Sequence, residues 1–587
     1  MNGFARKRLW IAPCVILCLL FLTVGTANAD NSKISPDLLS LVTSNPSANV
    51  NVIIQYNSQQ STTCSTGLLG ALLCPVLKLV GGVVNLLLGV INGAAATLTG
   101  VDVINTSNQS NVDYISLDRP VRPMLDYTAA ATDVSYGWTS GLDGSGIGIA
   151  IIDSGIYPHP DLRKPYSTAS RVVYRQSFIG GKLYDDYGHG THVAGIVAGN
   201  GSGSDQRGSF RTFKGIAPNA NLIDLRVLDA NGMSSDSAVI AAIGQAIQLK
   251  SKYNIRVINL SLGRPIYESS SRDPLCRAVE AAWKNGIVVV VAAGNLGRNG
   301  YSTVLAPGNS PYAITVGAMK SMGTYSNSDD QVASYSSRGP TYLDLTAKPD
   351  IVAPGNLVDS LLAPGSTLEA EYPGNVVPAS AYTTASTSGT PLYMQLSGTS
   401  MATPVVSGAV ALMLQRYPSL TPDTVKARLM KTASKTFPMY STVNDSTGTY
   451  VDFYDMFTIG AGYLRINSAL QDNENVYYPA LSPRVQYDPT TALAYVMPNY
   501  YSAWWTTPSM ATSAVWGSTV LTPAGSSAVW GSSAVWGSSA VWGSSAVWGS
   551  SAVWGSSAVW GSSAVWGSSA VWGSSAVWGS TTGTGEN

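Results

Sequence analysis

"GIGIAIID", residues 146–153, holds an apolar run from Ile147 to Ile152 with no polar alternation and then stops on Asp153, Ser154 and Gly155. A short unbroken apolar run of this kind suits a strand buried on both faces, as in a parallel sheet covered by helices. Three further runs share the pattern: "NLIDLRVLD" (221–229), "VINLSLG" (257–263) and "IVVVVAAGN" (287–295). Helical patterns lie between them. In 234–253, Ile240, Ile243 and Ile247 fall at helical spacing; in 272–286, Asp273 can cap the start, Pro274 suits the first helical position and Gly286 closes the end. Repeated strand–helix–strand order predicts an α/β fold, a doubly wound and mostly parallel sheet with helices on both faces, over residues 123–472.

Around this segment the 587-residue chain changes character. Residues 1–29 read as an export signal: basic Arg6, Lys7 and Arg8, an apolar core from Leu9 to Val24, and an Ala27-Asn28-Ala29 cleavage site that makes Asp30 the first mature residue. Residues 30–122 carry two strand-like stretches, "VNVIIQY" (50–56) and "VDYISLDRPV" (112–121). Between them the apolar stretch 67–98 reads as helices packed on a small sheet, because Pro75, Lys78, Asn85, Asn92 and several glycines argue against a membrane span. Of five cysteines, Cys14 and Cys18 leave with the signal, Cys64 and Cys74 can close a small disulfide loop in an exported protein, and Cys276 reads as a buried small hydrophobe. Residues 473–512, rich in Tyr, Pro and Trp, read as a linker.

Residues 513–587 are a repeat tail: "SAVWGS" at 513–518, then nine copies with tryptophans from Trp530 to Trp578 at a six-residue period. On an α-helix six residues leave each Trp about 120° from the last, so no seam forms. On a strand six is a multiple of two, and every Trp falls on one face. The tail therefore reads as a stacked β-structure or as a disordered, aggregation-prone segment. Charged residues are only 12% and net charge is zero, with no basic stripe, which argues against nucleic acid as a partner.

"LSGTSMATP" (396–404) sets Ser400 before the apolar run Val405 to Leu414, at the mouth of a helix. A serine nucleophile needs a base. The chain has three histidines, His159, His189 and His192, and two lie in "DDYGHGTHVAGIVAG" (185–199), at the start of a predicted helix. The HxxH spacing lacks the HExxH glutamate, so a zinc site is not indicated. Asp153 ends a buried strand, where sites form in doubly wound sheets; taken by itself it reads rather as an Asx-turn that ends the strand.

Together, "AIIDSGI", "GHGTHVAGI" and "SGTSMATP" resemble the Asp, His and Ser motifs of the subtilisin-like serine proteases, the subtilases, in the order Asp, His, Ser. "VVVVAAGN" resembles the family's oxyanion segment, "NLSLG" (259–263) the strand that pairs with substrate backbone, and "SSRGP" (336–340) and "KPDIVAPG" (348–355) are family-like as well. The likeness spans roughly 130–472. It implies a subtilisin-like fold and a secreted serine endopeptidase acting on proteins or peptides, with Ser400 as nucleophile, His189 as base, Asp153 orienting it, and Asn295 with the Ser400 N–H holding the oxyanion. By the same resemblance Ser261, Leu262, Gly263, Gly294 and Leu305 line the substrate cleft, and Leu305 narrows the pocket for the side chain before the scissile bond.

The resemblance further implies that 30–122 is a propeptide that folds as a small α+β unit, inhibits the enzyme and is cut near 116–130. No cofactor is needed for the chemistry. Structural calcium is frequent in the family, but no stretch here identifies its ligands. Val405 stands where many members have His, and the Ser/Thr/Pro-rich segment between Pro354 and Ser397 reads as a surface insertion. His159 and His192 read as structural. The competing reading is a surface or matrix protein in which the Trp repeats bind the cell envelope or each other and the protease domain is a dead scaffold. Competent residues at every triad and oxyanion position favour the enzyme.

Overall fold

The computed structural model describes residues 31–57, 83–88, 93–117, 124–205, 208–383, 391–438, 440–445, 447–488, 493–497, 499–506 and 586. The export signal, the Cys64–Cys74 pair and the tryptophan repeats lie outside the described residues. The chain forms two compact units, Met1–Val121 and Arg122–Asn587.

In the first unit, strands β1 (Asn49–Tyr56), β2 (Val83–Leu88), β3 (Gly93–Thr99) and β4 (Val112–Leu117) form an antiparallel sheet of order β2-β3-β1-β4. Period-two alternation in β1 turns Val50, Val52, Ile54 and Tyr56 inward. They pack with Ala94, Ala96 and Leu98 against Leu38 and Val42 of helix α1 (Pro36–Ser44) and Val103 of helix α2 (Gly100–Ser107). The apolar stretch 67–98 thus supplies strands over its described part, not the helices expected. Ladder pairing on both sides of β3 overrides the helical preference of Ala94–Ala96.

The second unit is built on an eight-stranded sheet. Its strands are β5 (Gly148–Asp153), β6 (Val172–Ser177), β7 (Asn221–Arg226), β8 (Ile255–Leu260), β9 (Val288–Ala292), β10 (Ile314–Lys320), β11 (Gln331–Val332) and β12 (Ile351–Pro354). The order is β11-β10-β9-β8-β5-β7-β6, with β12 also on β10, and every pairing is parallel except β10–β11. Alternate residues of the central strands feed two cores. Ile149, Ile151, Val288 and Val290 face helices α3 (His189–Ala198) and α6 (Thr399–Arg416). Ala150, Ile152, Val289 and Val291 face α4 (Asp236–Tyr253) and α5 (Pro274–Lys284). This is the subtilisin-like α/β fold. The chain crosses from one side of β5 to the other between β7 and β8, so the topological switch point falls at the carboxyl ends of β5 and β8.

Two further stretches depart from their reading. Over its described residues the chain between Pro354 and Ser397 is not a surface insertion. Strands Val358–Leu361, Val376–Val377 and Tyr393–Leu396 form a small sheet, and Val358, Leu361, Tyr393 and Leu396 join the main core. A few large apolar side chains at alternate positions decide burial there, against a polar composition. Within 473–512, Ala503 and Trp504 are buried, Trp504 Nε1 donates to the Leu481 carbonyl at 2.7 Å, and Lys426 Nζ donates to Ser482 Oγ at 2.7 Å. Among the described residues no helix is long and apolar enough to cross a membrane.

Candidate active site

Asp153 is the last residue of β5 and His189 the first of α3. His189 Nδ1 stands 2.7 Å from Asp153 Oδ1, and both side chains are fully buried. Gly188, at φ 103°, turns the chain into α3. Gly190 lets helix and strand meet: a Cβ there would lie 2.3 Å from the Gly155 carbonyl oxygen and 3.2 Å from Asp153 Cβ. Gly190 N–H donates to Ser154 Oγ at 2.8 Å. The far ring nitrogen, His189 Nε2, has no hydrogen-bond partner among the described residues. Burial alone would lower the His189 pKa, but the charge and hydrogen bond of Asp153, with the charge of Asp185, outweigh it and hold the group above the ordinary imidazole value.

Ser400 is the second residue of α6, after Gly398 and Thr399. Its Oγ donates to the Ser261 carbonyl at 3.1 Å, and in this resting arrangement its hydrogen bond runs there and not to His189. Ser261 Oγ donates in return to the Ser400 carbonyl at 2.9 Å. That second bond has a cause in the sequence. Pro404 lies four residues on, inside the helix, and has no N–H to give to the Ser400 carbonyl. The Ser261 hydroxyl takes its place. It is itself fixed by Asn259 Nδ2 at 2.9 Å, and Ser407 Oγ donates to Asn259 Oδ1 at 2.8 Å.

Asn295 Oδ1 accepts the Thr399 N–H at 2.9 Å and the Thr399 hydroxyl at 3.0 Å, which fixes the amide with Nδ2 as its donor end. Leu262, Gly263, Gly294, Asn295, Leu305 and Ser400 line one narrow cleft with Ala292 and Thr399. Leu305 fills its floor: a Cβ on Gly294, itself at φ 109°, would lie 2.8 Å from Leu305 Cγ, and one on Gly263 3.0 Å from Leu305 Cβ.

The other histidines are tied to backbone. His159 Nδ1 accepts the Asp161 N–H at 3.1 Å and Nε2 donates to the Leu392 carbonyl at 3.0 Å. His192 Nε2 lies 3.1 Å from the Val358 carbonyl and 3.0 Å from that of Met394, and burial pushes it down to about 3. Val405 is fully buried.

Asp185 was not singled out in the sequence, although an acid three residues ahead of the Gly188 turn is a helix-start signal. It accepts N–H bonds from Tyr187, Gly188 and Thr191 and the Thr191 hydroxyl at 2.7 Å. Burial nonetheless raises its pKa against those bonds. Next to it, burial pushes Asp224 up to about 8 against the pull of Arg175, whose Nη1 is 2.8 Å away. Among the described residues no group of three or more His, Cys, Asp or Glu is disposed to hold a metal ion, so the donor set assigns no calcium ligand.

The family profile for subtilases matches residues 144–457, and the chain belongs to that family: it is a subtilisin-like serine endopeptidase. Serine protease AprX of Bacillus subtilis (strain 168) is 40% identical over 342 residues, covering 56% of this chain and 71% of the relative. Subtilisin DY of Bacillus licheniformis is 33% identical over 337 residues, covering 56% and 93%. Subtilisin E of Bacillus subtilis (strain 168) is 31% identical over 479 residues, covering 79% and 99%.

Proposed function

We propose that Asp153, His189 and Ser400 are the catalytic triad of a secreted endopeptidase made as a zymogen. The observation that carries this reading is the Asp153–His189 hydrogen bond, with Nε2 unpaired among the described residues. The carboxylate holds the proton on Nδ1, which leaves Nε2 as the basic lone pair. Rotation about the Ser400 Cα–Cβ bond swings Oγ from the Ser261 carbonyl toward that nitrogen. Apo catalytic bonds are commonly looser than those formed with substrate.

Oγ then attacks the peptide carbonyl and Nε2 takes its proton. The oxyanion is held by Asn295 Nδ2 and the Ser400 N–H, at the positive end of α6. The imidazolium returns the proton to the leaving amine, giving an acyl-enzyme. Water, deprotonated by Nε2, attacks the ester and releases the acid with Ser400 restored. Substrate backbone runs along Ser261–Gly263, and Leu305 limits the side chain before the scissile bond.

Residues 30–122 act as folding aid and intramolecular inhibitor, and the separate compact unit ending at Val121 supports this. Residues 1–29 direct export. The repeat tail attaches the enzyme to the cell envelope or mediates self-association. Structural calcium, if bound, takes no part in the steps above.

Casein hydrolysis by the wild type and by Ser400→Ala tests the nucleophile; retained activity in the variant rejects it. Mass spectrometry of secreted material fixes both ends. Fully active protein beginning at Asp30 rejects the zymogen. Deleting residues 513–580 and following activity between cells and medium locates the tail's role.

A further inference from the structure

The second unit contains a built seat for an acidic residue, formed by side chains to which no role is assigned above. Glu586, the penultimate residue of the sequence, is buried there, its side chain only 4% exposed. Its carboxylate accepts the Ser334 N–H at 3.0 Å and the Ser334 hydroxyl, and Arg298 Nη2 lies 2.8 Å from Oε1. Lys320 Nζ lies 3.7 Å from Oε2. The backbone is read as well: Asn356 Nδ2 donates to the Glu586 carbonyl at 2.8 Å, and the Glu586 N–H donates to Asn356 Oδ1 at 3.0 Å.

Two features mark this as a site and not a chance surface contact. Ser334, Lys320 and Asn356 are themselves buried. Among the described residues Glu586 is also the only carboxylate within ion-pair distance of Lys320, whose side chain is 3% exposed. A buried ammonium is costly without an anion, so the seat is chemically incomplete when empty. One guanidinium nitrogen, which Arg298 shares with Asp445, a backbone N–H and a two-point amide together recognise one acidic residue in an extended peptide.

We propose that this pocket is a peptide-carboxylate receptor whose occupant is Glu586 of the same chain. It pins the distal end of the sequence to the peptidase unit.

Hydrogen exchange read by mass spectrometry tests this on the full 587-residue chain carrying Ser400→Ala to prevent self-digestion. Adding Glu586→Ala should speed exchange of the peptide containing Ser334 at least tenfold while the melting temperature of the core stays put. Exchange within twofold of the parent overturns the proposal. The heptapeptide TTGTGEN, added at millimolar concentration to the Glu586→Ala protein, should slow that exchange again. TTGTGQN should not, and equal action by the two peptides overturns recognition of the carboxylate. Arg298→Ala should abolish the response to TTGTGEN, and a full response in that variant counts against the seat as described.

Discussion

Gly190→Ala is the sharpest probe of the Asp153–His189 geometry. The added methyl would sit 2.3 Å from the Gly155 carbonyl oxygen, where ordinary contact begins at 3.4 Å. The start of α3 must therefore back away by about 1 Å, and Asp153 Cβ at 3.2 Å blocks the alternative direction. Both obstacles are backbone or near-backbone atoms that cannot rotate aside. A displacement of about 1 Å at a catalytic group costs about 10² in rate, and the overpacking costs about 1–3 kcal/mol of stability. We expect kcat on a chromogenic peptide to fall about a hundredfold with KM little changed.

Gly195→Ala is the control. It lies on the same helix and is as crowded, 2.3 Å from Ser360 Oγ and 2.4 Å from Leu361 Cγ, but away from the triad. It should lower the melting temperature and leave kcat within about threefold, far less than a misplaced base costs. If Gly190→Ala keeps kcat within that range, or if both variants lose activity equally, close approach at Gly190 does not set the position of the base.

Ser261→Ala strips the Ser400 carbonyl of its replacement donor and should cost about 1–3 kcal/mol; Pro404→Ala on that background restores an N–H, and a double-mutant cycle of melting temperatures showing no coupling refutes the exchange. Asp185→Asn removes a negative charge that helps hold His189 high. Activity requires neutral His189 and is lost as pH falls through its raised pKa, so the acid limb of kcat/KM should move to lower pH; an unmoved or raised limb contradicts the assignment. Leu305→Ala should widen the cleft and raise kcat/KM for peptides with Phe or Tyr before the scissile bond relative to Ala. A wild type that already prefers Phe or Tyr removes the premise.

The strand ends were legible because burial on both faces leaves an unbroken apolar run, and Asp153 and Asn295 follow such runs within three residues. His189 and Ser400 were legible because each opens a helix behind a glycine. What holds these residues was not. Asn295 is fixed by Thr399, 104 positions away, and Ser400 by Ser261, 139 away, and no local pattern encodes such pairings. The segment around Val358 and Tyr393 misled for the opposite reason: four-residue strands are too short for alternation to outweigh a Ser/Thr/Pro-rich composition.

Cys276 carries a practical consequence. It is the sole cysteine after residue 74, it is buried, its Sγ donates to Asn309 Oδ1 at 3.1 Å, and burial raises its pKa well above that of a free thiol. Such a sulfur stays protonated and shielded from alkylating reagents under native conditions. In a variant with the other four cysteines replaced, a single cysteine introduced on an exposed loop would be the one thiol that a maleimide dye can reach. Spectroscopic labels could then be installed without first mutating the native sulfur away.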